Sequence, residues 1–292
     1  MEWVTSIRTP QLTTFFQYIT WLGYKDFLFL FVPFCYWFFD RKLFGIFTLF
    51  VFISALANAY LKDSFQDPRP ENILNLDPYL SALGPSYGFP SGHAQLAVVI
   101  WGFIFLHTQN NLIKFGSLFL IIFISFSRIY LGVHDVSDVA GGIVFGLISI
   151  LLLKLLLSDK NKWLRSLNKM IHFVIYSSLL IFIFLIWPAE SDRIIVVALG
   201  SLIIGFWFGH TIDNIYFNFH SPKNIALKIL SAALALVGFI LLNSKINQLF
   251  ELTQINHGIE VFISSLTLGL YISILAPLIL SLMKLQYKAD VQ

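Results

Sequence analysis

Three short polar clusters interrupt an otherwise apolar chain, and their residue types fit one kind of chemistry. The first, at 62–70, carries Lys62 and Arg69, with Pro68 and Pro70 holding the backbone around Arg69 extended. The second is Pro90, Ser91, Gly92 and His93, directly ahead of an apolar run. The third, at 127–138, holds Ser127, Arg128, His134 and Asp138. A phosphate ester cleaved without a metal needs fixed cations and oriented N–H donors for its oxygens. It also needs a nucleophile in line with phosphorus and a proton for the leaving oxygen. Lys62, Arg69 and Arg128 supply cations; arginine suits two-pronged capture of phosphate oxygens and lysine acts as a point charge. Ser91 reads as a helix N-cap, so the N–H groups of Gly92 and His93 would open an anion site, with His93 placed to protonate a leaving oxygen. His134 and Asp138 are four apart; on one helix face the carboxylate would orient one imidazole nitrogen while the other attacks.

Membrane helices must hold these clusters. Of the 292 residues 57% are hydrophobic and 12% charged, and the mean hydropathy is +0.78; soluble domains carry about a quarter charged residues. Too little polar surface remains to cover a water-soluble globule, so the fold class is all-α, a polytopic helical membrane protein. The net charge of +3 is small and scattered, which argues against a nucleic-acid partner. Apolar runs approaching the roughly 20 residues that cross a bilayer predict about nine spans, at 24–39, 43–61, 94–107, 112–129, 139–157, 171–187, 194–208, 225–242 and 261–283. Residues 10–21, with Leu12, Phe15, Phe16, Tyr18 and Ile19, read either as an amphipathic segment on the membrane surface or as an extra turn of the first span. The connection over 63–89, with Pro68, Pro70, Pro78 and Pro85, lacks periodicity, and loops of that length are functional or disordered.

The lysine and arginine balance orients the chain. With the first cluster outside, the inner segments hold Arg41, Lys42, Lys114, Lys160, Lys162, Arg165, Lys169, Lys223, Lys228, Lys284 and Lys288. The N-terminus then lies outside and the C-terminus inside. The first cluster ends span two, the second opens span three and the third joins spans four and five, so parity puts all three on one face. The opening residues lack the basic region and cleavage site of a secretory signal, and the first span is expected to be retained.

Taken together, K-x6-R-P from Lys62 to Pro70, P-S-G-H from Pro90 to His93 and S-R-x5-H-x3-D from Ser127 to Asp138 resemble the three-part signature of the type-2 phosphatidic acid phosphatase superfamily. These are lipid phosphate phosphatases related to vanadium haloperoxidases and glucose-6-phosphatase. Each part is weak alone; all three are complete and in the family's order, over roughly 43–157. The resemblance implies His134 as the nucleophile of a phospho-histidine, Asp138 as its orienting group and His93 as the acid for the leaving group. Lys62, Arg69, Ser91, Gly92 and Arg128 would bind the phosphate, with no metal and no cofactor. A six-helix core is implied as well, so 1–170 would form the phosphatase core and 171–292 additional C-terminal transmembrane helices.

The expected activity is hydrolysis of a lipid phosphate or diphosphate at the extracytoplasmic face, with the bacterial inner membrane favoured because no soluble appendage is present. Phosphatidate, phosphatidylglycerophosphate, a sphingoid phosphate, undecaprenyl diphosphate and a lipid A head all present such a group. The alternative is a phosphotransferase passing the phosphoryl group to a lipid or sugar, and a transporter or scaffold would rest only on the extra spans. Against the functional reading, basic residues at helix ends often snorkel to the interface. Asp63, Asp67 and Asp135 match no position of the pattern and read as solvated or helix-capping carboxylates. His210, Asp213 and His220 read as a solvated loop without metal spacing. Trp21, Trp101, Trp163 and Trp187 read as an interfacial aromatic belt. Cys35 is the only cysteine, so no intrachain disulfide forms.

Overall fold

A computed structural model describes residues 2–80, 86–188, 193–252 and 255–288; Pro85, expected within the long connection, lies outside the described residues. Helices α1 (Glu2–Ser6) and α2 (Pro10–Trp21) precede α3 (Lys25–Phe38) and α4 (Arg41–Phe65). After the connection come α5 (Gly92–His107), α6 (Asn111–Tyr130), α7 (Val136–Leu157), α8 (Lys162–Ser166) and α9 (Lys169–Ile186). The C-terminal part holds α10 (Ile194–Ile212), α11 (Ile225–Glu251), α12 (His257–Leu270) and α13 (Ala276–Leu282). Two-residue strands β1 (Phe219–His220) and β2 (Tyr287–Lys288) pair antiparallel; among the described residues the other regular elements are helical, and the protein is polytopic.

Among the described residues, seven helical segments are long and apolar enough to cross a membrane. The expected first and third spans are shorter, 14 residues in α3 with Pro33 inside and 16 in α5. The turn expected after the third span is built by Asn110, whose side chain accepts from the N–H of Leu112 (2.9 Å) and so caps α6. Residues 10–21 form a helix of their own rather than a turn of the first span. Thr9 caps it by accepting from Leu12 N–H (3.3 Å), and Pro10 sits at the start, where no N–H is needed. Its Phe16 is buried against Phe123, Phe126 and Tyr130 of α6, so α2 is anchored on protein.

The chain groups into two compact units: Met1–Leu28, Ser54–Ser166 and Trp187–Ser191 form one, and Phe29–Ile53, Leu167–Ile186 and Asp192–Gln292 the other. The boundary expected at 170 falls beside one junction, while residues 29–53 group with the C-terminal helices. In the first unit α5 packs on α7 at Gly142, where a Cβ would strike the Ser91 carbonyl and lie 3.2 Å from the Gln95 nitrogen; only glycine lets the backbones approach so closely.

In the second unit π turns at Asp213–Phe217 and Tyr271–Leu275 follow α10 and α12. The latter presents carbonyls to α3: Trp37 Nε1 donates to Ile272 (2.8 Å) and Tyr36 OH to Ser273 (3.3 Å). His210 and Asp213 are not a solvated loop. His210 lies in α10 and Asp213 opens the π turn that continues it; both are buried, to 8% and 1% exposure, leaving only His220 of the three at the surface.

Candidate active site

The third cluster is shaped by the turn between α6 and α7. The N–H groups of Val133 and His134 both bond the Arg128 carbonyl (3.1 and 3.2 Å), folding the turn back on the helix end. Asp135 takes the N-cap position of α7, in keeping with its expected capping role, and Asp138 Oδ2 accepts from its N–H (3.1 Å). The same oxygen meets His134 Nδ1 at 2.9 Å. On the other side of the ring Arg69 Nη1 lies 3.2 Å from His134 Nε2. A guanidinium only donates, so Nε2 carries the lone pair and the proton sits on Nδ1, against Asp138. Burial, then repulsion from Arg128, Arg69, Lys62 and His93, holds the His134 pKa well below the ordinary histidine range. The ring is neutral at neutral pH.

The first cluster ties the loop down. Lys62, in the last turn of α4, donates to the carbonyls of Tyr87 (2.5 Å) and Gly88 (2.9 Å). Arg69 gives its Nε to the Ser86 carbonyl (2.7 Å) and its Nη1 to the Val133 carbonyl (2.9 Å) as well as to His134. Burial, then Arg128, pulls its pKa down to about 10, which leaves it charged at neutral pH.

The second cluster joins the third through the Ser91 N–H, which donates to the Asp138 carbonyl at 2.9 Å. Ser91 stands at the N-cap position of α5 as expected, but its hydroxyl caps nothing: Oγ is buried without a partner. A Cβ on Gly92 would lie 2.9 Å from Asn58 Oδ1. Asn58 Nδ2 donates to the Pro90 carbonyl (3.2 Å) and Gln95 Oε1 (2.9 Å), and Gln95 Nε2 donates to the Ser54 carbonyl and hydroxyl (3.0 Å each). This buried ladder of amides fixes the turn, and the sequence reading missed it. The available signal was two amides inside apolar helices, Asn58 one turn before Lys62 and Gln95 one turn after Ser91.

Arg128 and His93 meet around Tyr24. The His93 and Tyr24 rings stand edge to face with centroids 4.5 Å apart, and the Arg128 guanidinium carbon lies 5.5 Å from the same tyrosine ring. Arg128 is buried; its Nη1 donates to Asp77 Oδ2 (2.6 Å) and to Thr20 Oγ1, while Tyr24 OH donates to the same Asp77 oxygen (2.5 Å). Asp77, Thr20 and Tyr24 were not expected here. A cation so deep demands a counter-charge, and that demand was the signal pointing to an aspartate outside the motifs.

Two of the carboxylates set aside as solvated or capping are engaged. A Cβ on Gly88 would lie 2.9 Å from Asp138 Oδ2 and 3.1 Å from Asp67 Oδ2, so Asp67 converges on Asp138. Asp63 accepts from Trp187 Nε1 (2.9 Å), and Trp187, 2% exposed and edge-on to Tyr60, is a buried residue and not part of an interfacial belt. All eight expected residues come to one place. Among the described residues, Ser91 Oγ, His93 Nε2, Arg128 Nε and Asp138 Oδ1 are buried there without a hydrogen-bond partner. Each such group costs about 1–3 kcal/mol, and four together mark where a polar ligand fits.

What fold and site define is a helical membrane protein with cations and imidazoles gathered at the ends of its helices. A family profile described as the PAP2 superfamily matches residues 42–162, and a second, described as the PAP2 superfamily phosphatase transmembrane extension, matches 197–289. The chain is 32% identical over 161 residues to phosphatidylglycerophosphatase B of Bacillus subtilis, covering 51% of this chain and 76% of that protein. It is 29% identical over 217 residues to human sphingosine-1-phosphate phosphatase 2, covering 67% of this chain and 52% of that one. Human dolichyldiphosphatase 1 is 34% identical over 110 residues, 32% of this chain and 44% of its own. The chain belongs to the PAP2 superfamily. It spans about half the length of the sphingosine-1-phosphate phosphatase it matches. No solved structure matches it.

Proposed function

We propose that the chain is a membrane phosphohydrolase that cleaves a lipid phosphate or diphosphate through a phosphorylated His134, without a metal. His134 Nε2 attacks phosphorus, the bond to the leaving oxygen breaks, and His93 gives that oxygen a proton. Water then attacks the phosphorus with His93 as base, the P–N bond breaks and inorganic phosphate leaves. Asp138 holds the proton on Nδ1 throughout. Lys62, Arg69 and Arg128, with Ser91 and the N–H groups at Gly92, meet the phosphoryl oxygens. The observation that carries this reading is the disposition of His134, with Nδ1 on Asp138 and Nε2 turned to a cation.

The site faces the extracytoplasmic side of the membrane, on the charge balance of the loops. The relatives' names, for phosphatidylglycerophosphate, sphingosine-1-phosphate and dolichyl diphosphate, share a terminal phosphate on a lipid. A release panel over such lipids and undecaprenyl diphosphate would find the substrate, and added acceptor lipid would expose phosphotransfer. The deciding experiment is a trap with substrate labelled in its terminal phosphate. An acid-labile, alkali-stable label on wild type, absent from His134→Ala and formed in chelator, is expected. Turnover in His134→Ala at the wild-type rate sinks the proposal.

A further inference from the structure

The second unit holds a buried polar cluster that this chemistry does not use. At the start of α4, Arg41 is 6% exposed, and its Nη2 donates to Gln286 Oε1. Its Nη1 stands 3.6 Å from Asp213 Oδ2, an ion pair too long for a hydrogen bond. Arg41 Nε and Nη1 and Gln286 Nε2 are buried with no hydrogen-bond partner among the described residues, and all three are donors. Several of the neighbouring acceptors are taken, and Asp213 Oδ2 meets Arg41 only at ion-pair distance. Asp213 Oδ1 accepts from Phe219 N–H (3.0 Å), the Asp213 carbonyl from Asn218 N–H (2.6 Å), and His210 Nε2 from Asn214 Nδ2 (3.0 Å). His210 Nδ1 faces Tyr36 OH (3.1 Å), which itself donates to the Ser273 carbonyl.

Arg41 borders a cavity of about 110 Å³ lined also by Lys42, Asn214, Asn218 and His220, with Asp40 and Asp213 as its acids. The wall is shaped by the π turn at Asp213–Phe217 and by Asn218 in the left-handed conformation, φ 46°; such turns recur at functional sites.

We propose that the cavity, at the start of α4, binds a phosphate group. Three buried donors lack a hydrogen-bond partner among the described residues, and a tetrahedral oxyanion supplies several acceptors at once to a guanidinium. The volume is several times the roughly 30 Å³ share of one water, enough for a phosphate group and too little for the acyl body of a lipid. Free phosphate would enter whole; a lipid monoester would enter by its headgroup from the membrane interface.

The test counts labelled inorganic phosphate bound to the purified full-length protein in detergent by equilibrium dialysis. Asn218→Asp keeps a residue type that tolerates left-handed backbone and adds a carboxylate to the wall; Arg41→Lys keeps the charge and loses the two-pronged donor. Each is expected to weaken one phosphate at least tenfold, while Arg69→Ala removes a different one. Melting curves confirm that Asn218→Asp folds, so the result does not hang on Arg41→Lys alone. A parallel arm embeds the His134→Ala protein, with and without Asn218→Asp, in nanodiscs of phosphatidate in phosphatidylcholine and reads retained lipid by native mass spectrometry.

A phosphatidate adduct lost on Asn218→Asp identifies the lipid head as the occupant, and loss of inorganic phosphate without such an adduct identifies free phosphate. A single phosphate sensitive to Asn218→Asp but not to Arg69→Ala supports this cavity and counts against the candidate active site. Phosphate binding unchanged by Asn218→Asp and Arg41→Lys, with lipid retention unchanged by Asn218→Asp, overturns the inference and leaves water as the occupant.

Discussion

Arg128 shows what the motif residues need beyond themselves. Its guanidinium is buried with Asp77 and Thr20 as acceptors, and Tyr24 braces the same carboxylate. Asp77→Asn keeps the shape and removes the counter-charge, and breaking a buried pair costs about 3–5 kcal/mol. We expect a lower melting temperature and a drop in kcat/KM of about tenfold or more, carried mainly by KM, because the cation loses its aim. Steady-state kinetics within twofold of wild type would remove Asp77 from the site. His134 gives a pH prediction. It is neutral in the fold, whereas the unfolded chain protonates it below about pH 6.5. The unfolded state therefore binds more protons as pH falls, and stability is lost below that value. Melting temperatures between about pH 7.5 and about 5 should fall in wild type and fall less in His134→Asn. The motif residues were legible because their types and spacing state their chemistry. Asp77 was not, since 51 residues separate it from Arg128 and only the folded connection brings them together. Asn58 and Gln95 were hidden for the same reason, 37 residues apart and paired only across two helices.

Among the elements, α5 and α7 set the geometry, because the second cluster opens one and the third opens the other. Their contact at Gly142 lies against the Ser91 carbonyl itself. Gly142→Leu must push α5 away and take Ser91 and His93 with it. Overpacking of this kind costs about 1–3 kcal/mol, and activity is expected to fall further than stability; a melting curve beside a phosphate-release assay reads both. Apolar run length revealed the helices well, and most boundaries fall within a few residues. It placed α3 and α5 to within two residues, and both are shorter than the seven segments long enough to cross a membrane, at 14 and 16 residues. It also left α2 undecided, and the Thr9 cap with Pro10 behind it settles α2 as a separate helix.

For the whole molecule, the division into units does not follow chain order. Residues 29–53 belong with the C-terminal helices, where Trp37 and Tyr36 satisfy carbonyls of the π turn and Arg41 pairs with Asp213. A fragment of residues 1–170 contains the whole 42–162 family match yet strips those partners from Trp37, Tyr36 and Arg41. We expect it to leave detergent solution as aggregate, and a monodisperse, active fragment on size exclusion would refute that. Nothing in the sequence announced this grouping, because Arg41 beside Lys42 reads as an inner loop charge and Asp213 as solvated. Burial reverses both readings, and only tertiary structure reveals burial.

Trp187 leaves a practical consequence. Its indole N–H rests on Asp63, the immediate neighbour of Lys62, and the ring is shielded from solvent by Tyr60 and its surroundings. With the other tryptophans replaced, this single fluorophore is hydrogen-bonded to the chain neighbour of a cation that, on the proposed mechanism, meets the phosphoryl group, so quenching of its emission in a stopped-flow trace would time the arrival and departure of that group without any added dye.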